Sequence, residues 1–188
     1  HDEAMDIGRE AYQRLVDLLA DLDAADWDRP TDCEGWSVRD LAGHLAGALR
    51  SASSVRELVS QQLESARRAK RQGGLVVDHM TALQIERAAD LSEAELVAEL
   101  DRLVDKAIRG RRRTPAPLRR LVSIQVDFGH GPERWPLGWF VDVILTRDAW
   151  LHRIDLCRAI GQEPELTPEH DGRIVADVVE EWLRRHGQ

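Results

Sequence analysis

Cysteine is scarce in this 188-residue chain: Cys33 and Cys157 stand far apart, without Cys-x-x-Cys spacing. That excludes a disulfide scaffold and a zinc ribbon, and it fits a reducing, cytoplasmic setting. Long apolar runs are missing too. No stretch approaches the roughly 18 consecutive apolar residues of a membrane span, so no membrane partner is expected. His1 to Asp6 are polar and acidic, without the basic stretch and apolar run of a signal peptide. An excess of positive charge is also absent. The 34 acidic side chains outweigh 26 basic ones, which opposes nucleic-acid binding through neutralised phosphates.

What is present reads as a folded, helical protein. Hydrophobic residues make up 43% and charged residues 32%, enough of each for a core and a solvated surface. Apolar residues recur at helical spacing along most of the chain. A first helix is expected over Ala4 to Leu22, with Ile7, Ala11, Leu15, Leu18, Leu19 and Leu22 as its inner stripe. A connector from Asp26 to Trp36 follows. Ser37 then has the character of an N-cap, with Asp40 three residues on and Trp36 placed to staple against Leu41.

The second helix is expected from Val38 to about Arg71, before Gly73 and Gly74, and a third from Val76 to Ala89. Ser92 with Glu95 opens another that runs to about Arg109, and Thr114 to Pro117 breaks the chain. Leu121 to Phe128 is irregular or a short strand, and Gly129, Gly131 and Pro132 form a turn. Pro136 opens a helix to Ile160, and Thr167-Pro168 opens the last one. The sum is an all-α fold of about five or six helices, without internal repeats or a visible domain boundary.

Arg109, Arg111, Arg112, Arg113, Arg119 and Arg120 form one basic cluster. Basic residues suit a helix C-terminus, so a solvated helix end and loop is expected there. An anion- or carboxylate-binding role is the alternative. Trp135 and Trp139 are expected as core anchors, or as walls of a site.

Two stripes carry residues that an apolar face should not contain. Val141, Leu145, Asp148, His152 and Leu156 share one row of a helix, and Leu41, His44, Ala48, Ala52 and Val55 share another. An unpaired carboxylate in such a row would cost on the order of several kcal/mol. One divalent ion held by His44, Asp148 and His152 explains both interruptions. Three protein ligands leave a coordination position open, as in catalytic sites. Two imidazoles and a carboxylate suit zinc first, with iron, manganese and nickel also compatible.

The segment Trp27 to Leu45, with Trp27, Pro30, Thr31, Cys33, Gly35, Trp36, His44 and Leu45 in place, resembles a family signature. So does the later run of Asp148, His152, Asp155 and Leu156. Together they resemble the N-terminal domain of mycothiol-dependent maleylpyruvate isomerases, a branch of the DinB-like metal-binding bundles. The resemblance implies a DinB-like four-helix bundle with additional short helices, spanning 1–188; full-type members often continue into a smaller C-terminal domain, so this chain is expected to be either part of such a protein or a bundle-only member.

The resemblance also assigns His44, Asp148 and His152 as metal ligands, with Asp148 where the family more often has Glu. Asp155 becomes a candidate for orienting a ligand or an arginine, and Asp40 a weaker one beside its cap role. Cys33, in a loop before a helix, is expected to be a packing residue, because the reactive thiol comes from the cosubstrate. The implied activity needs a divalent metal, zinc foremost, and mycothiol or a similar thiol. It is either isomerisation of a maleylpyruvate-like substrate or thiol transfer to an electrophile. The alternative is a non-catalytic metal-binding bundle serving as an interaction or stress-response module. A homodimer is compatible with the sequence.

Overall fold

A computed structural model describes residues 1–127, 129 and 131–186. Helices dominate: α1 (Asp2–Ala20), α2 (Val38–Ser53), α3 (Val55–Gln72), α4 (Val76–Glu86), α5 (Glu93–Arg112), α6 (Ala116–Leu121), α7 (Leu137–Trp139), α8 (Leu145–Ile160) and α9 (Asp171–His186). Between α6 and α7, β1 (Ser123–Asp127) and β2 (Pro132–Pro136) form an antiparallel hairpin with Ser123 opposite Pro136. Phe128, at the end of the expected irregular stretch, lies outside the described residues. No helix among the described residues is long and apolar enough to cross a membrane.

α1 packs on α5, α5 on α2, α2 on α8 and α8 on α1, closing a four-helix ring around the core. α3 and α4 lie against each other and against α2 as an outer layer. Both capping boxes form: Ser37 and Asp40 open α2, and Ser92 and Glu95 open α5. The face of α1 is turned from the expected stripe. Met5, Tyr12 and Val16 are buried, whereas Ile7, Leu18 and Leu22 are half-buried.

The expected long second helix is broken at Ser54, which is extended (φ −150°, ψ 119°) and caps α3 by accepting from the Glu57 amide. Ser51 and Ser53 help end α2 by donating to the carbonyls of Ala48 and Arg50, a local bond that competes with helix continuation. Val55 therefore leaves the inner stripe and is 78% exposed. Similarly, α9 starts at Asp171 rather than Thr167, because Asp171 accepts from the Thr167 amide and holds the preceding residues in a turn.

The helices approach closely where they carry glycine. A Cβ on Gly43 would lie 3.2 Å from the Ala88 side chain, and one on Gly47 only 2.4 Å from Gln84 Cγ. A Cβ on Gly110 would meet the Ala52 carbonyl oxygen at 2.3 Å, backbone against side chain with nothing flexible to yield. Gly110→Ala gains about 1 kcal/mol of helix propensity but overpacks the α2–α5 contact at a cost of about 1–3 kcal/mol. A net loss is expected, read as a fall of a few degrees in thermal midpoint. A rise would show that α2 and α5 stand further apart.

The approach to α8 is not regular α-helix. Phe140–Ile144 forms a π-helical turn, in which the Leu145 amide reaches back to the Phe140 carbonyl. That skips the Val141 carbonyl, which would be orphaned. Arg111 repairs it: its Nε donates to Val141 O at 2.9 Å and its Nη2 to Thr146 Oγ1 at 2.7 Å. The Tyr12 hydroxyl donates to Leu145 O at 2.9 Å, and burial pushes the Tyr12 pKa up, so it stays a donor. A Cβ on Gly8 would strike Thr146 and Arg111. Arg111, expected in a solvated cluster, is thus a buried structural cation, 2% exposed. Arg109, Arg112, Arg113 and Arg120 are exposed as expected, Arg112 pairing with Asp6, whereas Arg119 in α6 is half-buried and pairs with Asp142.

Candidate metal centre

α2 and α8 bring His44, Asp148 and His152 together as their stripes require. His44 Nε2 lies 3.6 Å from Asp148 Oδ2, and His152 Nε2 lies 3.5 Å from Asp148 Oδ1. One potential donor atom from each of the three residues falls within 4.8 Å of the others. These separations exceed a hydrogen bond. Two donors each about 2.0–2.1 Å from a shared ion at a tetrahedral angle lie roughly 3.4 Å apart. The two imidazoles face opposite oxygens of the Asp148 carboxylate, and the three side chains converge closely enough for one ion to be held among them.

The remaining ring nitrogens are already engaged. His44 Nδ1 lies 2.8 Å from Gln84 Oε1, and His152 Nδ1 donates to Asp155 Oδ2 at 3.2 Å. Such partners fix each ring and aim its Nε2 at the Asp148 carboxylate. Asp155 thus orients a histidine rather than an arginine. Asp40 is spent on the cap, accepting from the Ser37 amide and hydroxyl.

Burial is graded across the site: His44 is 8% exposed, whereas the Asp148 side chain is 34% exposed and opens to solvent. Burial would push the Asp148 carboxyl up, but His44, His152 and Arg147 outweigh it and hold the carboxyl below its usual range. Burial works against a charged His152, yet Asp155, Cys33 and Asp148 raise its pKa to about 10.

Cys33, expected only to pack, stands in this site. Its Sγ is 3.9 Å from His152 Nδ1 and 3.8 Å from Asp155 Oδ2. The Trp36 ring lies against both histidines, with centroids 5.2 Å from His44 and 6.2 Å from His152. Gln84 lies on α4, whose apolar residues show no strong amphipathic period, so helical spacing does not mark it. The one clue was Gly43 and Gly47, each costing about 1 kcal/mol inside a helix and so pointing to a close neighbour.

Asp148 also lines a cavity of about 340 Å³ with Trp135, Ile144, Leu151, Arg147 and Arg185. Both arginines pair with Glu181, and Arg185 also pairs with Glu133. Trp135 therefore walls the cavity that Asp148 opens into. Trp139 lines a different one and stacks under the Arg184 guanidinium.

Known proteins resemble this chain in sequence pattern and fold. The family model "Mycothiol maleylpyruvate isomerase N-terminal domain" matches residues 9–157. A crystal structure of the mycothiol-dependent maleylpyruvate isomerase matches with a TM-score of 0.56 and 18% identity, covering 82% of this chain and 60% of that one. A structure of a histidine-to-alanine mutant of that isomerase matches at the same TM-score with 17% identity and the same coverage. This chain thus spans 60% of the length of the solved proteins it matches. No curated protein matches. With matched residues running from α1 into α8, across every helix that supplies the site, the chain belongs to the mycothiol maleylpyruvate isomerase N-terminal domain family.

Proposed function

We propose that this chain carries the metal centre of an enzyme that uses a small thiol, such as mycothiol, to act on an electrophilic substrate. The reaction is isomerisation of a maleylpyruvate-like activated double bond, or transfer of the thiol to the electrophile. One observation carries the reading: a buried imidazole, His44, and a half-buried one, His152, each tied at Nδ1, turn their Nε2 atoms to opposite oxygens of one carboxylate. His44, Asp148 and His152 would hold the ion, and the donor set suits zinc first. A bound divalent ion would deprotonate a coordinated thiol and so supply a nucleophile at neutral pH.

The chain's own residues set the conditions for that chemistry. Gln84 and Asp155 keep the two rings aimed, and Trp36 shields them from water. Asp148 contributes a negative charge at the mouth of the cavity, while Trp135 and Leu151 give that cavity apolar wall. Arg147 and Arg185 are cations within the same wall, able to exchange their glutamate partners for a carboxylate on the substrate.

The test is calorimetric titration of mycothiol into zinc-loaded protein, with and without His44→Ala, followed by turnover of maleylpyruvate. Binding is expected only with both the ion and His44 present. Zinc retention without thiol binding or turnover would instead favour a non-catalytic bundle.

A further inference from the structure

Behind His44 runs a chain of buried amides that ends on the helix His44 belongs to. Gln84 Nε2 donates to Gln61 Oε1 at 2.8 Å, and Gln61 Nε2 donates to the Gly47 carbonyl at 3.0 Å. His44, Gln84 and Gln61 are 8%, 3% and 1% exposed, so water cannot substitute freely for any of these partners.

Either amide alone could be turned end for end, but the chain cannot. A carbonyl only accepts, so Gln61 must give its NH2 to Gly47 and turn its Oε1 toward Gln84. Gln84 must then give its NH2 to Gln61 and turn its own Oε1 toward His44. Facing an acceptor, His44 Nδ1 must bear the proton. A neutral imidazole has one such proton, so Nε2 keeps its lone pair. Reversing one link would bring oxygen against oxygen, or N–H against N–H, at hydrogen-bond distance inside the core.

We propose that Gly47, Gln61 and Gln84 form a tautomer-setting relay, in which a backbone carbonyl of α2 dictates through two neutral amides that His44 presents the Nε2 lone pair to Asp148 and His152. Gln84 and Gln61 are positioning residues. The use of the relay rests on the metal-centre reading above; the tautomer itself does not. Gly47 serves it twice, by its carbonyl and by lacking the Cβ that would fall 2.4 Å from Gln84 Cγ. The two histidines are therefore held differently, His152 by the Asp155 carboxylate and His44 by groups without charge.

Long-range ¹H–¹⁵N correlation spectra of the ion-free full chain, at alkaline pH, report which ring nitrogen of His44 is protonated. The wild type is expected to show Nδ1–H. Gln61→Met, which does not touch His44, frees Gln84 to turn and should mix in the Nε2–H form. Gln84→Met should weaken zinc binding about 10- to 100-fold in a chelator competition, and Gln84→Glu, which still offers His44 an acceptor, should recover most of it. Wild-type Nε2–H overturns the relay, whatever the variants do. So does a Gln61→Met spectrum identical to wild type. If the wild type takes up no ion yet shows Nδ1–H and responds to Gln61→Met, the relay stands and the metal-centre reading fails.

Discussion

Protein purified from zinc-supplemented medium is expected to carry about one divalent ion per chain, and the His44→Ala/His152→Ala double variant less than about a tenth of that. The variant leaves Asp148 as the single remaining donor of its set, with a side chain 34% open to water, and a lone carboxylate binds such ions weakly. The ion should also stabilise the fold, since it binds the native state alone. Free ion about 1,000-fold above its dissociation constant adds about 4 kcal/mol. At roughly 2–4 °C per kcal/mol for a chain of this size, a strong chelator should lower the wild-type melting temperature by about 8–16 °C. It should leave the double variant unmoved. Elemental analysis and paired thermal melts check both expectations. A wild type that holds no ion, takes none up from zinc, nickel or manganese, and ignores the chelator would remove the proposed function.

A loss of similar size is expected outside the proposed ligand set, at Asp171. Its carboxylate accepts from Arg153 Nη2 at 2.6 Å, Thr167 N at 2.7 Å, Trp150 Nε1 at 2.8 Å and Arg14 Nη1 at 3.2 Å. The Arg153 side chain is 5% exposed and that of Asp171 4%. Asp171→Ala leaves the Arg153 guanidinium buried without its counter-charge, which costs about 3–5 kcal/mol. The start of α9 and the turn before it lose their anchor together. Urea unfolding at neutral pH measures the difference, and a loss below about 1 kcal/mol would mean that water reaches Arg153 in the variant.

The same group gives the acid limb of stability a definite sign. Burial would push the Asp171 carboxyl up, but the Thr167 amide, the Trp150 indole, Arg153 and His170 hold it below its ordinary value. A depressed carboxylate contributes fully above the unfolded pKa of about 3.9. The contribution fades as pH falls through the lower folded value. Wild-type and Asp171→Ala stabilities should therefore converge below about pH 4.

By itself the sequence determined whatever depends on near neighbours along the chain. Ser37 with Asp40, and Ser92 with Glu95, announce helix starts because a cap acts over three residues. Asp148 and His152 share a face because they are four apart, and the apolar stripe around His44 marks it as facing inward. Hence the all-α fold, the family and the three converging side chains were legible, and the structure brings those three together as the stripes required.

Where two local signals compete, periodicity alone does not fix the structure. Apolar periodicity ran through Ser54 although serine hydroxyls end α2 there, and a regular helix was expected where the chain makes a π-helical turn. Arg111, 30 positions away from Val141, satisfies the carbonyl that this turn strands.

Tertiary structure alone decided what surrounds the site. Gln84 is 40 positions from His44, and Cys33 is 119 from His152. No periodicity or cap links residues so far apart. Their meeting is set by the close approach of α2 and α4 at Gly43 and Gly47, and by the packing of the loop before α2 onto α8. Hydrogen bonds act only at contact, and contact between distant segments is what folding creates.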